Sequence, residues 1–342
     1  GQTGRAGAQD PSDKSRKRRR EGGNLPMIPV SAGQVIPNSR WKSMNWRRFK
    51  ERFFSDPTRV LALSGGGARG MAHIGVLSHL DKLSLKPELV TGTSMGAMIG
   101  ALYCLHGSSV GLKGVVKDIL ESEVFRKLDL EDLVEDAGEE QDSLDQFTRR
   151  TKDLLIVNKL MKRKSLVEPE FIEEVIFHFY GDATFADLKI PFVAVATDLY
   201  SGEDIALTEG KLGPAVQASA AIPGAFPPVP LNGMLLVDGY VTKNIPVPEP
   251  GEPPYRSDVI VVDVQPKLAS HGPWDTGVDI RARAESIMQI QLNRWYLELA
   301  DLVLVPGVQG VHWADFRRMD DLVEAGRVAA VEKEEEIQRL FG

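Results

Sequence analysis

Between residues 60 and 106 the chain runs twice through one pattern. Val60–Ser64 is a short apolar run, Gly65-Gly66-Gly67-Ala68-Arg69-Gly70 breaks it, and an Ala/Met/Ile/Leu helical pattern follows over about 70–82. Leu89–Thr93 is a second such run, followed by a turn at Ser94 and a helical pattern over about 94–106. Continuous β-branched runs without polar alternation suit strands buried on both faces, and a strand feeding a helix through a tight turn is half of a βαβ unit. Further runs at Phe192–Thr197, Leu235–Val237, Val259–Val264 and Leu302–Val305 extend the series. The expected fold class is therefore α/β with a mostly parallel sheet. Residues 107–188 are charged, helical in period and poor in strand signals, and read as an insertion or cap over that sheet. A last helix is expected over about 322–341, with Glu332-Lys333-Glu334-Glu335-Glu336 on a solvated face.

The charge is divided unevenly. Residues 1–52 carry a net charge of +9 and the remainder a net charge of −16, within a total of −7. An acidic body argues against a nucleic-acid partner. Residues 1–40 combine Gly, Ser and Pro with the basic run Lys14–Arg20, a composition that cannot offset the entropy of ordering, and are expected to be disordered. Residues 41–57 differ: Trp46, Phe49 and Phe53 fall at helical spacing with Arg47, Arg48, Lys50 and Arg52 between them. This segment reads as an amphipathic helix docked on the domain, or as an interfacial anchor that, with the basic run, would place residues 14–54 against anionic membrane. The folded domain is expected over 58–342, with its motifs within 61–247.

The chain opens on Gly rather than Met, so a trimmed or tagged start is one expectation. No apolar segment follows the N-terminal basic residues as in a signal peptide. No run is long enough to cross a membrane as a helix. Cys104 is the only cysteine, which excludes an intramolecular disulfide and a cysteine-based zinc site. These features fit a cytoplasmic location, including one peripheral to the inner face of a membrane. No metal or cofactor is expected: Asp198 and Asp263 stand singly near strand ends, where turn or cap roles suffice.

The chemistry gathers at the turns. Gly92-Thr93-Ser94-Met95-Gly96 is a G-x-S-x-G between an expected strand and an expected helix, the context in which such a serine becomes an exposed nucleophile on a strained elbow. The glycine loop 65–70 matches G-x-G-x-x-G as a dinucleotide cradle would, but that fingerprint needs an acidic residue at the end of the next strand, and Gly92-Thr93-Ser94 stands there instead. The competing reading is an oxyanion hole, in which amides without an obstructing Cβ point at developing negative charge near a helix N-terminus. Within this loop Arg69 has three readings: it orients the loop, meets an anionic headgroup, or forms a surface salt bridge.

Ser94 needs a base. His73 and His79 follow the glycine loop, where packing is the default, and His106 ends the helix that Ser94 begins. His178 gives no signal, and only His271 and His312 follow later strands as a triad would require. Asp238, before Gly239 at the end of a short apolar run, is better placed. Burial can raise the proton affinity of such a carboxylate until it serves as a base.

With these pieces in order, the chain resembles the patatin-like phospholipase family, and looks closest to its bacterial branch related to neuropathy target esterase. The supporting stretches are Gly70-Met71-Ala72-His73-Ile74-Gly75-Val76-Leu77, Ala218-Ser219-Ala220-Ala221-Ile222-Pro223-Gly224 with Phe226-Pro227-Pro228, and Asn244-Ile245-Pro246. The resemblance implies a three-layer α/β/α fold and a lipid acyl hydrolase of phospholipase A or lysophospholipase type. It also implies a Ser94–Asp238 dyad with oxyanion donors among Gly65, Gly66, Gly67, Ala68, Arg69 and Gly70, and Ile222–Pro228 along the acyl side of the pocket. Tyr240 replaces the small residue usual after Asp-Gly and is expected to narrow the site or change access. Two other readings stay open: a triad α/β-hydrolase, and a lipid-binding or regulatory protein with a weak site.

Overall fold

The computed structural model describes residues 59–128, 165–249, 257–268, 272 and 274–342. The N-terminal segments expected as disordered (1–40) and helical (41–57), the middle of the expected insertion and His271 lie outside these residues.

In chain order the described residues form β1 (Arg59–Leu63), α1 (Ala72–Lys82), β2 (Leu89–Thr93), α2 (Met95–His106), α3 (Leu112–Leu120), α4 (Glu123–Arg126) and α5 (Pro169–Tyr180). There follow β3 (Phe192–Asp198), β4 (Asp204–Leu207), α6 (Leu212–Ser219), β5 (Val229–Leu231), β6 (Met234–Asp238), α7 (Tyr240–Lys243), β7 (Asp258–Val262), α8 (Gly277–Leu297), β8 (Leu302–Leu304), α9 (Met319–Glu332) and α10 (Glu334–Phe341). The expected strands are present, each within two residues of its expected ends. The single helix expected at the C-terminus is two, α9 and α10, separated at Lys333, whose backbone leaves helical geometry.

Five strands run parallel in the order β3-β2-β1-β7-β8. Side chains alternate strictly between two apolar layers. Leu61, Leu63, Ile260 and Val262 join one layer, whereas Val60, Ala62, Val259 and Val261 join the other. Both sets are apolar because helices cover both faces, which is why these strands read as unbroken hydrophobic runs. The first layer is the larger, formed with α1, α2, α5, α6, α9 and α10. The second is closed by the C-terminal half of α8 and by Ile245 and Val247. Helices α1 and α9 cross at glycine: a Cβ on Gly75 would lie 1.9 Å from the Val323 carbonyl oxygen, and one on Gly326 1.8 Å from that of Ala72.

The antiparallel part of the sheet positions the site. Strand β4 pairs with β3 at 194–197, β2 pairs with β3 at 192–195, and β6 pairs with β3 at 196–198. A residue has one neighbour on each edge, so β4 must lie opposite both β2 and β6, and the latter two share one edge of β3. Strand β2 runs along that edge until Thr93 stands opposite Val195. Strand β6 enters from the other end, antiparallel, until Asp238 stands opposite Ala196. The two strands thus meet head to head, and the residues at their junction are Ser94 and Asp238.

Candidate active site

Ser94 turns the chain from β2 into α2 with φ 54° and ψ −124°, outside the regions that side chains favour, and is one of three described non-glycine residues at positive φ. Backbone strain of this kind persists only where surroundings over-determine it. Here they do. A Cβ on Gly96 would lie 2.2 Å from the Leu63 carbonyl oxygen, so only glycine lets α2 begin so close to β1. The Ser94 N–H is held by both the carbonyl and the Oγ of Ser219, at 3.1 Å each, and Ser219 Oγ donates to Val195 O at 2.6 Å.

Asp238 is fully buried. Its Oδ1 accepts the Tyr240 N–H at 2.9 Å, and its Oδ2 has no donor in hydrogen-bonding geometry. Burial pushes the carboxyl up to about 7, against the opposing pull of the adjacent Ser94 hydroxyl and the Tyr240 N–H. A group with this proton affinity exchanges a proton near neutral pH, as a general base must. Tyr240 is half-buried, and its phenol is pushed up by burial and by the charges of Asp238 and Glu285. Its ring is not part of the cavity wall.

The glycine loop leaves β1 beside this junction: a Cβ on Gly65 would lie 2.9 Å from that of Ser94. Two of its amides are already engaged. Gly65 N–H donates to Asn244 O at 3.3 Å and Ala68 N–H to Trp313 O at 2.6 Å. Among the described residues the Gly66 and Gly67 amides have no backbone acceptor. Gly67 adopts φ 58°. Residues 67–71 form a 3-10 turn that carries Arg69 and Gly70 into α1. Arg69 donates to Gly66 O at 3.2 Å and to Val311 O at 3.3 Å. No described carboxylate lies within ion-pairing distance of it. The surface salt bridge is therefore not formed, and the guanidinium ties the loop to the segment before α9 instead.

The histidines divide plainly. His73 is buried beneath the loop with Nε2 at 2.8 Å from Ser64 O, and burial lowers its pKa to about 4. It is thus neutral at pH 7, donating from Nε2. His79 pairs with Glu334 of α10 at 2.9 Å. His312 accepts the Ala314 N–H on Nδ1 at 3.3 Å and has no hydrogen bond to Ser94.

Ser94 and Gly67 line a cavity, partly open to solvent, whose wall is otherwise almost wholly apolar. Met71, from the turn before α1, and Met95, Met98 and Ile99 of α2 line it. Val116, Leu120, Phe125 and Leu128, together with Ile172, Val175, Ile176 and Phe179 of α5, all come from the expected insertion. Ile222 and Phe226, from the proline-containing segment 222–228, also line the wall. Phe125 meets Phe316 edge-on at 5.3 Å, closing the wall between the insertion and the segment before α9. The wall carries no charged side chain, a lining that suits an apolar ligand. No group of three potential metal-ligating side chains occurs among the described residues, and no described helix is long and apolar enough to cross a membrane.

Several residues that shape the site carried no sequence signal of their own. Gln265, Asn293 and Trp313 act through hydrogen bonds to the backbone or to one another across long sequence separations. The useful clue for Gln265 is that it follows β7, the strand beside β1, at the same end of the sheet as the glycine loop.

The family model described as patatin-like phospholipase matches residues 61–250. An uncharacterized NTE family protein of Mycobacterium tuberculosis is 30% identical over 199 residues, covering 56% of this chain and 45% of that protein. Neuropathy target esterase sws of Drosophila melanogaster is 28% identical over 188 residues, covering 54% of this chain and 11% of that protein. The matched part thus spans less than half of these relatives. Among solved structures, VipD from Legionella pneumophila aligns at a TM-score of 0.48 and 15% identity, covering 82% of this chain and 67% of that one.

Proposed function

Because this chain belongs to the patatin-like phospholipase family, we propose that it is a lipid acyl hydrolase of the serine-esterase type, cleaving fatty-acyl esters of phospholipids or lysophospholipids through Ser94 and Asp238. The observation that carries the proposal is a buried carboxylate, raised to about 7, beside a strained serine on an apolar cavity.

In the proposed reaction the acyl chain lies in the cavity with its ester carbonyl at Ser94. Asp238 takes the hydroxyl proton as Oγ attacks the carbonyl carbon. The tetrahedral oxyanion lies against the Gly66 and Gly67 amides, which have no other backbone acceptor among the described residues. Gly65 and Ala68, whose amides are engaged, shape the loop, and Arg69 holds it from the Gly66 carbonyl. Collapse expels the alcohol portion, which receives the proton from Asp238. Water then attacks the acyl-enzyme, its proton passing to Asp238 and from there to Ser94 Oγ as the acyl bond breaks and the fatty acid leaves. No histidine takes part.

The test is hydrolysis of a lipid panel with product analysis, alongside Ser94→Ala. The proposal expects release of free fatty acid by the parent protein and none above background by the variant. Equal rates for the two would reject it.

A further inference from the structure

The Gly65–Gly66 peptide is gripped from behind. Its carbonyl oxygen, on Gly65, accepts Gln265 Nε2 at 2.8 Å, with Asn244 Nδ2 a weaker donor at 3.5 Å. Gln265 is itself held. Its N–H donates to Asp263 Oδ1 at 3.0 Å, its carbonyl accepts Gln309 Nε2 at 3.4 Å, and its Oε1 accepts Nδ2 of the buried Asn293 on α8 at 3.3 Å. The Gly65 carbonyl can only accept, so Nε2 of Gln265 faces it and Oε1 is left to accept from Asn293.

A trans peptide is rigid and planar, with C=O and N–H directed oppositely. Holding the Gly65 oxygen toward Gln265 therefore aims the Gly66 N–H away from it. That amide has no backbone acceptor among the described residues. Glycine cannot hold this orientation by itself, because its backbone torsions are the least restricted of any residue. Sequence order supplies the holder. Ser64 N–H bonds Val262 O at 3.1 Å and Val264 N–H bonds Ser64 Oγ at 3.0 Å, so the end of β7 continues beside the loop and brings Gln265 to Gly65.

We propose that Gln265, braced by Asn293, is a positioning residue that aims the Gly66 amide at the oxyanion. The relay joins α8, on one face of the sheet, to a reaction centre whose acyl cavity lies on the other. It rests on the reading of Ser94 as nucleophile and of Gly66 as oxyanion donor.

The experiment compares parent, Gln265→Leu, Asn293→Ala and Ser94→Ala with a soluble short-chain acyl ester, measuring kcat, KM, melting midpoint and inhibition by a trifluoromethyl ketone that forms a tetrahedral adduct on serine. Loss of aim affects the transition state more than substrate binding, so Gln265→Leu is expected to lower kcat roughly 10–100-fold with KM within about twofold. The ketone should weaken in proportion, and Asn293→Ala should show the same pattern at smaller amplitude. Parent kcat and ketone affinity in a folded Gln265→Leu would overturn the inference. So would a collapse of the melting midpoint in both variants, which would assign the pair to holding the fold. If Ser94→Ala retained activity, the underlying reading would fail instead, and the two failures are thereby distinguished.

Discussion

The turns after β1 and β2 are neighbours built to the same plan, yet they present opposite things. The turn after β2 presents a side chain. It puts a non-glycine residue at φ 54° and holds it by close packing, with Gly96 against the Leu63 carbonyl. The turn after β1 presents backbone. It leaves the Gly66 and Gly67 amides without backbone acceptors and is held by hydrogen bonds from behind, through Gln265, Arg69, Asn244 and Trp313. A turn that displays a side chain can store strain, because a rigid frame fixes one torsion. A turn that displays amides must give up side chains and so relies on its surroundings for orientation.

Perturbing each turn in its own way tests this contrast. The largest effect is expected at the displayed side chain: Ser94→Ala should lower kcat for a short acyl ester by about 10,000-fold or more. Asp238→Asn keeps the shape and removes the base, and should cost about 100–10,000-fold. A related effect appears in the pH profile of the parent. The base works ionised and its pKa is raised to about 7, so kcat/KM should fall about tenfold per pH unit below 7 and level off above it. A flat profile between pH 5 and 8 would remove Asp238 from the reaction.

On the backbone side, Gly67→Ala places a Cβ 2.3 Å from the Trp313 carbonyl oxygen at a positive φ. It should displace the loop and lower kcat roughly 10–100-fold with a smaller change in KM. The smallest expected effect concerns stability. A buried Asp with a raised pKa stays protonated in the fold while the unfolded chain ionises. Stability is therefore lost as pH rises from the ordinary carboxylate range to about 7. Asp238→Asn escapes that loss, so its melting midpoint should exceed the parent's at pH 8, by at most about 4 kcal/mol in stability, and converge with it near pH 4.

Much of the fold was legible because the parallel strands are buried on both faces and therefore read as unbroken runs. Strands β4 and β5 gave no such signal. Each is short and antiparallel, and β5 carries Pro230. Ser94 and the glycine loop were legible because strand–turn–helix patterns are local. Asp238 could be placed at a strand end, but its meeting with Ser94 depends on β2 and β6 sharing an edge of β3, a register no local pattern encodes. Gln265 and Asn293 were invisible for a related reason. They are ordinary amide residues, and what distinguishes them is a contact to Gly65 across 200 residues and one to each other.

The central claim is that Ser94 is a nucleophile activated by Asp238. Labelling with a fluorophosphonate, followed by peptide mass spectrometry on the parent and on Asp238→Asn, tests it most directly. One adduct is expected, on Ser94, formed at pH 8 and at least about 100-fold more slowly in Asp238→Asn. An adduct on another residue, or equal labelling of Ser94 in both proteins, would contradict it.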